Sequence, residues 1–389
     1  MPSGLTNNVI FLRCKWGSAY HKIFCMKATL VVLNEQDFLQ NRIFSDLPVK
    51  GIKNYGYMFA ALRRQLAAHG IDLATQDIHS PEESRLVISL DVVDFFQTYQ
   101  RRPNQLLYLV LNEPATYYPE LWKKENHAVF DRVFTYDYTL ADEKKYIHHY
   151  FAIDLDGYSP TPTVTQADFN QRKLLVIMSG MLQLTRPKPN SSSLLYTRYR
   201  TLRWFAQHLP DTFDFYSRGI DPATFRSFRG LGVLQGVLPR LVTNWVAEHV
   251  ATRRRRLVDS INRGPVPPNG KLEVIRNYRF AVCYENTCLP GYISEKLFDC
   301  MFAGCVPVYL GEPNIEQFVP PTCYISRAQF ASDAELAKFL QRMPYAKYAG
   351  YIAAIQQFTA GVEKQKFGSE ANAERVSCVL LNDLELQSV

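Results

Sequence analysis

The sequence lacks the patterns that would indicate a metal-binding, membrane-spanning or repetitive protein. None of its eight cysteines forms a Cys-x-x-Cys pair, and the four between positions 283 and 305 do not have the spacing of a zinc knuckle. The strongest apolar stretches, residues 28–33 and Leu106–Leu111, are far too short to cross a bilayer. Internal repeats and low-complexity tracts are also missing. We therefore predict no metal site and no transmembrane segment.

What remains is the composition of an ordinary globular protein. The 389 residues are 47% hydrophobic and 21% charged, which excludes a disordered chain, a collagen-like fibre and a coiled-coil rod. A chain of this length is expected to hold about two or three domains. The 44 lysines and arginines exceed the 37 acidic residues by 7, an excess that suits an anionic ligand or a membrane surface without naming either.

One basic run and the amino-terminal segment bear on partners and location. Arg253, Arg254, Arg255 and Arg256 follow one another on a predicted helix, where such a run is usually a solvated face. Peripheral contact with acidic lipid is the alternative, whereas we expect no nucleic-acid partner. Residues 1–25 are interrupted by charged side chains and make a poor signal peptide. We expect a loose extension there, a strand beginning near Met26, and a cytoplasmic, reducing location.

Strands and helices alternate along two successive parts of the chain. The first part shows strand patterns at 28–33, 71–78, Leu86–Leu90, Leu106–Leu111 and 132–136, with helical patterns at 57–69 and 121–130. Turn-forming residues at 156–163 interrupt the alternation, which resumes with strands at 174–178, 212–216, 280–284 and Val306–Leu310 and helices at 193–209 and 294–303. This alternation predicts two α/β domains with parallel sheets, at 26–160 and 161–335, separated by a cleft and followed by a helical tail at 336–389.

The connection between the strand at 280–284 and the next helix is a candidate anion site. Open parallel sheets bind ligands beyond the carboxyl ends of their strands. Ser294 is placed to cap the helix, so that Glu295 and Lys296 fall in its first turn. A lysine is unfavourable at the positive end of a helix dipole unless an anion such as a phosphate lies beside it. For this Glu-Lys pair taken alone, an exposed lysine is the more ordinary interpretation.

The residues around that pair carry a more specific signal. Residues 276–287, 291–299 and 303–311 contain Tyr-Arg-Phe, Tyr-Glu-Asn, Tyr-Ile-Ser-Glu-Lys and Gly-Cys-Val-Pro-Val. They closely resemble the fucosyltransferase signature of glycosyltransferase family 10, from which Ile293 and Ser294 are conservative departures. The resemblance implies the GT-B fold, in which two Rossmann-like domains face each other across a cleft. It also implies inverting transfer of fucose from GDP-fucose to a glycan acceptor, at a 3- or 4-hydroxyl of an N-acetylglucosamine or glucose unit, of which we choose the 3-hydroxyl.

The same resemblance suggests roles for residues of the second domain. Glu295 and Lys296 would hold the ribose and the diphosphate of the donor, and Asn286 and Tyr292 would shape its pocket. A second cation is expected from the first helix of that domain, where we choose Arg198 over Arg200 and Arg203. Since these positive groups can stabilise a departing diphosphate, we expect no metal or other cofactor.

Inverting transfer also needs a base in the first domain, facing the donor. Glu113 follows the apolar strand Leu106–Leu111 and precedes Pro114, and the resemblance implies a base at this point. Family members carry Glu-Ser-Pro here, whereas this chain has Glu-Pro. After this point family members also carry a Phe and a Thr-x-Tyr-like strand, and here Phe130 and the pair Thr135 and Tyr136 follow Glu113 at suitable distances along the chain. We therefore predict Glu113 as the catalytic base.

Two other functions are compatible with the same sequence. One is a GT-B glycosyltransferase that uses another nucleotide sugar. The other is a non-enzymatic protein that binds glycans or nucleic acid, although the arginine run has no clustered aromatics beside it.

Overall fold

The computed structural model describes residues 26–45, 55–180, 182–183, 190–219, 239–267 and 270–387. The extension expected at residues 1–25 lies outside these ranges. Within them the chain forms two separate parallel sheets, one before and one after the turn-rich segment at 156–163.

The first sheet has six parallel strands in the order β2-β1-β3-β4-β5-β6. They are β1 (Met26–Val31), β2 (Ile71–Thr75), β3 (Leu86–Leu90), β4 (Leu106–Leu111), β5 (Arg132–Thr135) and β6 (Tyr146–His148). Every residue of β3 and β4 is buried, as expected for central strands that are covered on both faces. Helix α1 (Tyr57–Ala67) buries Met58, Leu62 and Leu66 along one face.

The second sheet has five parallel strands in the order β11-β10-β9-β7-β8. They are β7 (Lys173–Met178), β8 (Phe213–Tyr216), β9 (Tyr278–Tyr284), β10 (Val306–Leu310) and β11 (Ile325–Ser326). The accompanying helices are α2 (Gln166–Gln171), α3 (Leu195–His208), α4 (Arg240–Ile261), α5 (Lys271–Ile275) and α6 (Glu295–Phe302).

The two sheets share one strand order. In each, the second strand lies outside the first, and the third, fourth and fifth follow on the other side. The chain therefore changes direction across the sheet between β1 and β3, and again between β7 and β9. Such switch points open a crevice at the carboxyl ends of the strands, which is where open parallel sheets bind their ligands.

The carboxy-terminal helices divide between the two domains. Helices α7 (Asp333–Arg342) and α8 (Tyr345–Ala360) pack against the core of the second domain, as the burial of Leu340 and Ile352 shows. Helix α9 (Ser369–Leu386) returns to the first domain, where Leu380 lies in its core. Residues 336–389, treated above as one tail, thus join two cores. The domain boundaries themselves stay a prediction.

The main departure from the predicted elements lies between β4 and β5. The helix predicted at 121–130 is replaced by two short 3₁₀ turns, Pro119–Trp122 and Lys124–His127. His127 is buried and its Nε2 bonds the Leu121 carbonyl oxygen at 2.6 Å, which closes this segment on itself. Strands β6 and β11 were not predicted either, because each is at most three residues long and carries little periodic signal.

Candidate active site

The connection from β9 to α6 is organised around Glu285, a fully buried carboxylate that sequence reasoning did not single out. Its Oε1 accepts the Ser294 backbone N–H at 2.8 Å, and its Oε2 accepts the Ser294 hydroxyl at 2.7 Å. Ser294 precedes α6 as predicted, but its side chain bonds Glu285 instead of capping the helix. The buried glutamate therefore fixes the loop at the amino end of α6.

Lys296 is held at the same place. Its Nζ lies 3.3 Å from Glu285 Oε2 and 2.8 Å from Ser294 Oγ, so these contacts use two of its three N–H donors. The side chain is 22% exposed. The ammonium group is thus positioned by a buried counter-charge and still reaches the surface at the positive end of the helix.

Glu295 carries a stable negative charge beside this lysine. Burial alone would raise the pKa of Glu295, but the charges of Lys296 and Lys271 outweigh it and lower the pKa to about 2. Lys271 Nζ lies 3.6 Å from Glu295 Oε1 and also pairs with Asp299. Glu295 is therefore an acceptor for hydroxyl groups throughout the physiological range.

Arg198 lies inside the second domain, whereas Arg200 and Arg203 are exposed on the same helix. One Nη donates to Ser179 Oγ at 2.8 Å, and the other to the Tyr284 carbonyl oxygen at 2.5 Å and to Asn286 Oδ1 at 3.1 Å. Ser179 follows β7 and Asn286 follows β9, so the guanidinium group bridges the switch point of the second sheet. Arg198 and Asn286 are thus direct neighbours.

Tyr292 reaches the first domain. Its ring is 5% exposed and lies 5.3 Å from the ring of Tyr136, which follows β5. The adjacent Gly291 has a φ of +74°, and a Cβ at this position would lie 1.8 Å from the Tyr136 carbonyl oxygen. Only glycine fits this approach, which brings the loop before α6 against the first domain.

Glu113 follows β4 at the carboxyl end of the first sheet. Its N–H donates to Asp91 Oδ1 at 3.1 Å, and its carbonyl oxygen accepts the Trp122 indole N–H at 2.8 Å. The backbone that carries the predicted base is therefore fixed from two sides.

Contacts just after Glu113 join the two domains. The Tyr117 hydroxyl donates to the Asn286 carbonyl oxygen at 3.0 Å, and Thr116 Oγ1 lies 2.7 Å from Thr287 Oγ1. Burial raises the pKa of the Tyr117 phenol, while the charge of Arg198 lowers it and that of Glu113 raises it. Glu113 thus lies near enough to Tyr117 and Tyr292 for its charge to raise the pKa of both phenols, and Tyr117 links it to Asn286, the neighbour of Arg198.

Asp91 and Glu285 are the carboxylates that the sequence analysis missed. A signal existed for both, because each is an acidic residue directly after a buried strand. Glu285 also stands inside the Tyr-Glu-Asn triplet, whereas Asp91 belongs to no motif.

In the described ranges, no three His, Cys, Asp or Glu side chains are grouped so as to hold a metal ion. None of the described helices has both the length and the apolar character needed to cross a bilayer.

A family comparison agrees with the sequence signature. Residues 253–388 match the family model described as "Glycosyltransferase family 10 (fucosyltransferase) C-term". Residues 253–388 are therefore similar to the carboxy-terminal part of family 10 fucosyltransferases. The family 10 match covers α5, β9, α6 and β10, with the loop from β9 to α6 that carries Asn286 and Tyr292; Glu295 and Lys296 lie in the first turn of α6.

Curated relatives of known name extend this likeness. The chain is 36% identical over 126 residues to alpha-(1,3)-fucosyltransferase 7 of Rattus norvegicus, covering 28% of this chain and 34% of the relative. It is 40% identical over 67 residues to an alpha-(1,4)-fucosyltransferase of Arabidopsis thaliana, covering 17% of each. These matches span about a third or less of the relatives' lengths.

Two solved structures share the whole architecture. One is an alpha1,3-fucosyltransferase solved with GDP, with a TM-score of 0.50, 13% identity, and coverage of 95% of this chain and 94% of that one. The other is a glycosyltransferase from Rickettsia africae ESF-5, with a TM-score of 0.52, 8% identity, and coverage of 93% and 99%. At these identities the likeness concerns the fold alone, and the predicted GT-B fold is confirmed.

Proposed function

We propose that this chain is a family 10 enzyme, an inverting fucosyltransferase that moves fucose from GDP-fucose to a glycan hydroxyl. The observation that supports the proposal is that the loop after β4, which carries Glu113, contacts the loop after β9 that leads to α6. Lys296 and the amino end of α6 offer positive charge from one domain, and Glu113 offers a carboxylate from the other. The family 10 match and the fucosyltransferase relatives support the donor assignment.

The reaction we propose is a direct displacement. The Glu113 carboxylate takes the proton of the acceptor hydroxyl while the hydroxyl oxygen attacks the anomeric carbon of fucose. The bond between that carbon and the diphosphate oxygen breaks, and GDP departs with the electron pair. Attack from the side opposite the leaving group inverts the anomeric configuration.

The donor side of the cleft would stabilise the departing diphosphate. Lys296 contributes an ammonium group, α6 contributes its amino-terminal N–H groups, and Arg198 contributes the buried positive charge beside Asn286. Glu295 would accept the hydroxyls of the ribose, and Tyr292 would form the wall of the pocket between the domains. We propose that these groups suffice without a metal ion, so that EDTA leaves most of the activity intact.

For the acceptor we propose an oligosaccharide carrying an N-acetylglucosamine or glucose unit, with transfer to the 3-hydroxyl. The rat relative named above is an alpha-(1,3)-fucosyltransferase, whereas the Arabidopsis relative is an alpha-(1,4)-fucosyltransferase. A glycan array developed with GDP-fucose, followed by linkage analysis of the product, tests both the unit and the position.

The donor is tested with a panel of nucleotide sugars. We expect GDP and GDP-fucose to protect the protein against thermal unfolding and GDP-fucose to be turned over. Protection by GDP-mannose or a UDP-sugar alone would reject the proposal in favour of another GT-B glycosyltransferase. Glycan binding without turnover of any donor would indicate a lectin-like protein.

Membrane contact through α4 is a second proposal, which a specific feature of that helix favours. Leu241 and Trp245 are 84% and 63% exposed and lie one turn apart, and three turns further along the same face Arg256 is also exposed. Exposed apolar and basic side chains on one face of a helix fit the surface of an anionic bilayer. We propose that this face rests on such a bilayer from the cytoplasmic side, where the buried thiols of Cys283, Cys300 and Cys305 would stay reduced.

Vesicle co-sedimentation tests this contact. Vesicles of phosphatidylcholine with phosphatidylserine should retain the protein, whereas vesicles of phosphatidylcholine alone should not. Trp245→Glu should abolish retention, and Lys338→Glu on α7 should reduce it little. Equal behaviour of the two variants, or no retention of the wild type, would reject the proposal, and cell fractionation checks the compartment.

A further inference from the structure

Asp91 occupies the switch point of the first sheet, directly after β3. Its N–H donates to the Val110 carbonyl oxygen of β4 at 3.1 Å, and its φ of +53° is left-handed. This conformation is uncommon for residues other than glycine, although aspartate adopts it more readily than most. The backbone is therefore turned so that the side chain lies across the end of β4.

The carboxylate of Asp91 holds the backbone of the proposed base. Its Oδ1 accepts the Asn112 N–H at 2.8 Å and the Glu113 N–H at 3.1 Å. Together with the bond from Trp122 to the Glu113 carbonyl, these contacts fix both sides of the residue that must face the donor. Glu113 is thus positioned through Asp91.

The second oxygen of Asp91 has no such role. Oδ2 is buried and forms no hydrogen bond to the described residues, and none of their cations pairs with Asp91. The titratable groups that face it are the Glu113 carboxyl and the phenols of Tyr55 and Tyr136. Burial raises the pKa of Asp91 to about 7; the Asn112 and Glu113 N–H groups oppose this rise, and the Glu113 charge adds to it.

We infer that Asp91 is a positioning residue for the proton-accepting step, which holds Glu113 in the cleft and tunes its basicity by binding one proton at Oδ2. The inference rests on the proposed function of Glu113. When Oδ2 releases its proton to solvent, two neighbouring carboxylates are charged, and Glu113 attracts the acceptor proton more strongly. When Oδ2 keeps the proton, Glu113 is the weaker base.

Two substitutions distinguish the hydrogen bonds that Asp91 Oδ1 accepts from the proton that Oδ2 binds. Asp91→Asn keeps an acceptor oxygen and removes the titratable proton, whereas Asp91→Ala removes both. We expect kcat of the wild type to rise with pH through about 7, and Asp91→Asn to lose this rise. Asp91→Ala should lose the rise as well and, because the base is no longer held, should lie about 10²-fold below Asp91→Asn in kcat. The exposed Asp94→Asn is the control and should keep the wild-type profile.

The pH dependence of Tm, which needs no enzymatic turnover, tests whether Asp91 binds this proton. The pKa of Asp91 is higher in the folded protein than in the unfolded chain, so its contribution to stability is present at low pH and is lost as pH rises toward 7. The Tm of the wild type minus the Tm of Asp91→Asn should therefore fall as pH rises from about 4 to 7.

The outcomes are separable. An unchanged pH profile in Asp91→Asn, or a uniform loss at every pH, would overturn the role in tuning. A Tm difference independent of pH would overturn the bound proton. If the wild type transfers no sugar from any donor, the proposed function fails, while the Tm comparison still decides whether Asp91 holds its proton. GDP affinity, which belongs to the other domain, should be equal in all variants.

Discussion

Asp91 and Glu285 occupy the same position in two sheets with the same strand order. Each follows the third strand of its sheet, and each donates its N–H to the end of the fourth strand, to Val110 at 3.1 Å and to Leu310 at 2.7 Å. Both carboxylates are buried. The charged groups beside the two carboxylates differ, and this difference gives the two domains different chemical roles.

The neighbour of Glu285 is a cation, and the neighbour of Asp91 is another acid. Glu285 lies 3.3 Å from Lys296 Nζ, so the second domain pairs a buried carboxylate with a cation and keeps a positive group at the end of α6. Asp91 binds the backbone of Glu113, whose charge adds to the rise of its pKa. One topology thus provides an anion-binding side and a proton-binding side.

The largest effect should come from Glu113→Gln. The amide cannot take the acceptor proton, so we expect kcat to fall by ~10²–10⁴ while GDP affinity stays at the wild-type value. Steady-state transfer assays and calorimetric titration of GDP measure the two quantities. The exposed Glu125→Gln serves as the control. Wild-type turnover in Glu113→Gln would mean that another residue is the base.

The cores of the two domains differ in how they depend on the end of the chain. Leu380 of α9 is fully buried in the first core, so Leu380→Ala should lower the free energy of unfolding by about 2–5 kcal/mol. The exposed Asn382→Ala, on the same helix, should change it by less than about 0.5 kcal/mol. Chemical denaturation measures both. A small loss in Leu380→Ala would place α9 outside the folded core.

Lys296→Ala should weaken the anion-binding side selectively. Losing one charge-assisted hydrogen bond to the diphosphate should raise the Kd for GDP by about 10- to 100-fold. Calorimetry on protein shown to be folded by circular dichroism is the measurement, because the variant also leaves Glu285 buried without its cation. Lys338→Ala on α7 is the matched control. Unchanged GDP affinity would remove the phosphate assignment.

The smallest effect should be the pH dependence of stability that Glu295 contributes, which has the opposite sign to that of Asp91. The pKa of Glu295 is about 2 in the folded protein, below its usual 4.5, so its charged form stabilises the protein above 4.5. That contribution is lost as pH falls from 4.5 toward 2. The Tm of the wild type minus the Tm of Glu295→Gln should shrink as pH falls across this range. A difference that grows with falling pH would contradict the lowered pKa of Glu295.

The sequence predicted the second domain's site more fully than the first domain's. The strands and the loop before α6 carry strong local patterns, and the signature there names Lys296 directly. Asp91 has no such pattern, because its role depends on a bond to a residue 22 positions away in the chain. The return of α9 was also unpredictable, since an apolar helix face does not specify which of two cores it covers.

The most direct test is a crystal structure of Glu113→Gln with GDP-fucose. We predict the diphosphate within hydrogen-bond distance of Lys296 Nζ at the amino end of α6, with the anomeric carbon of fucose turned toward residue 113. A diphosphate bound away from α6, or a fucose facing away from β4, would contradict the account.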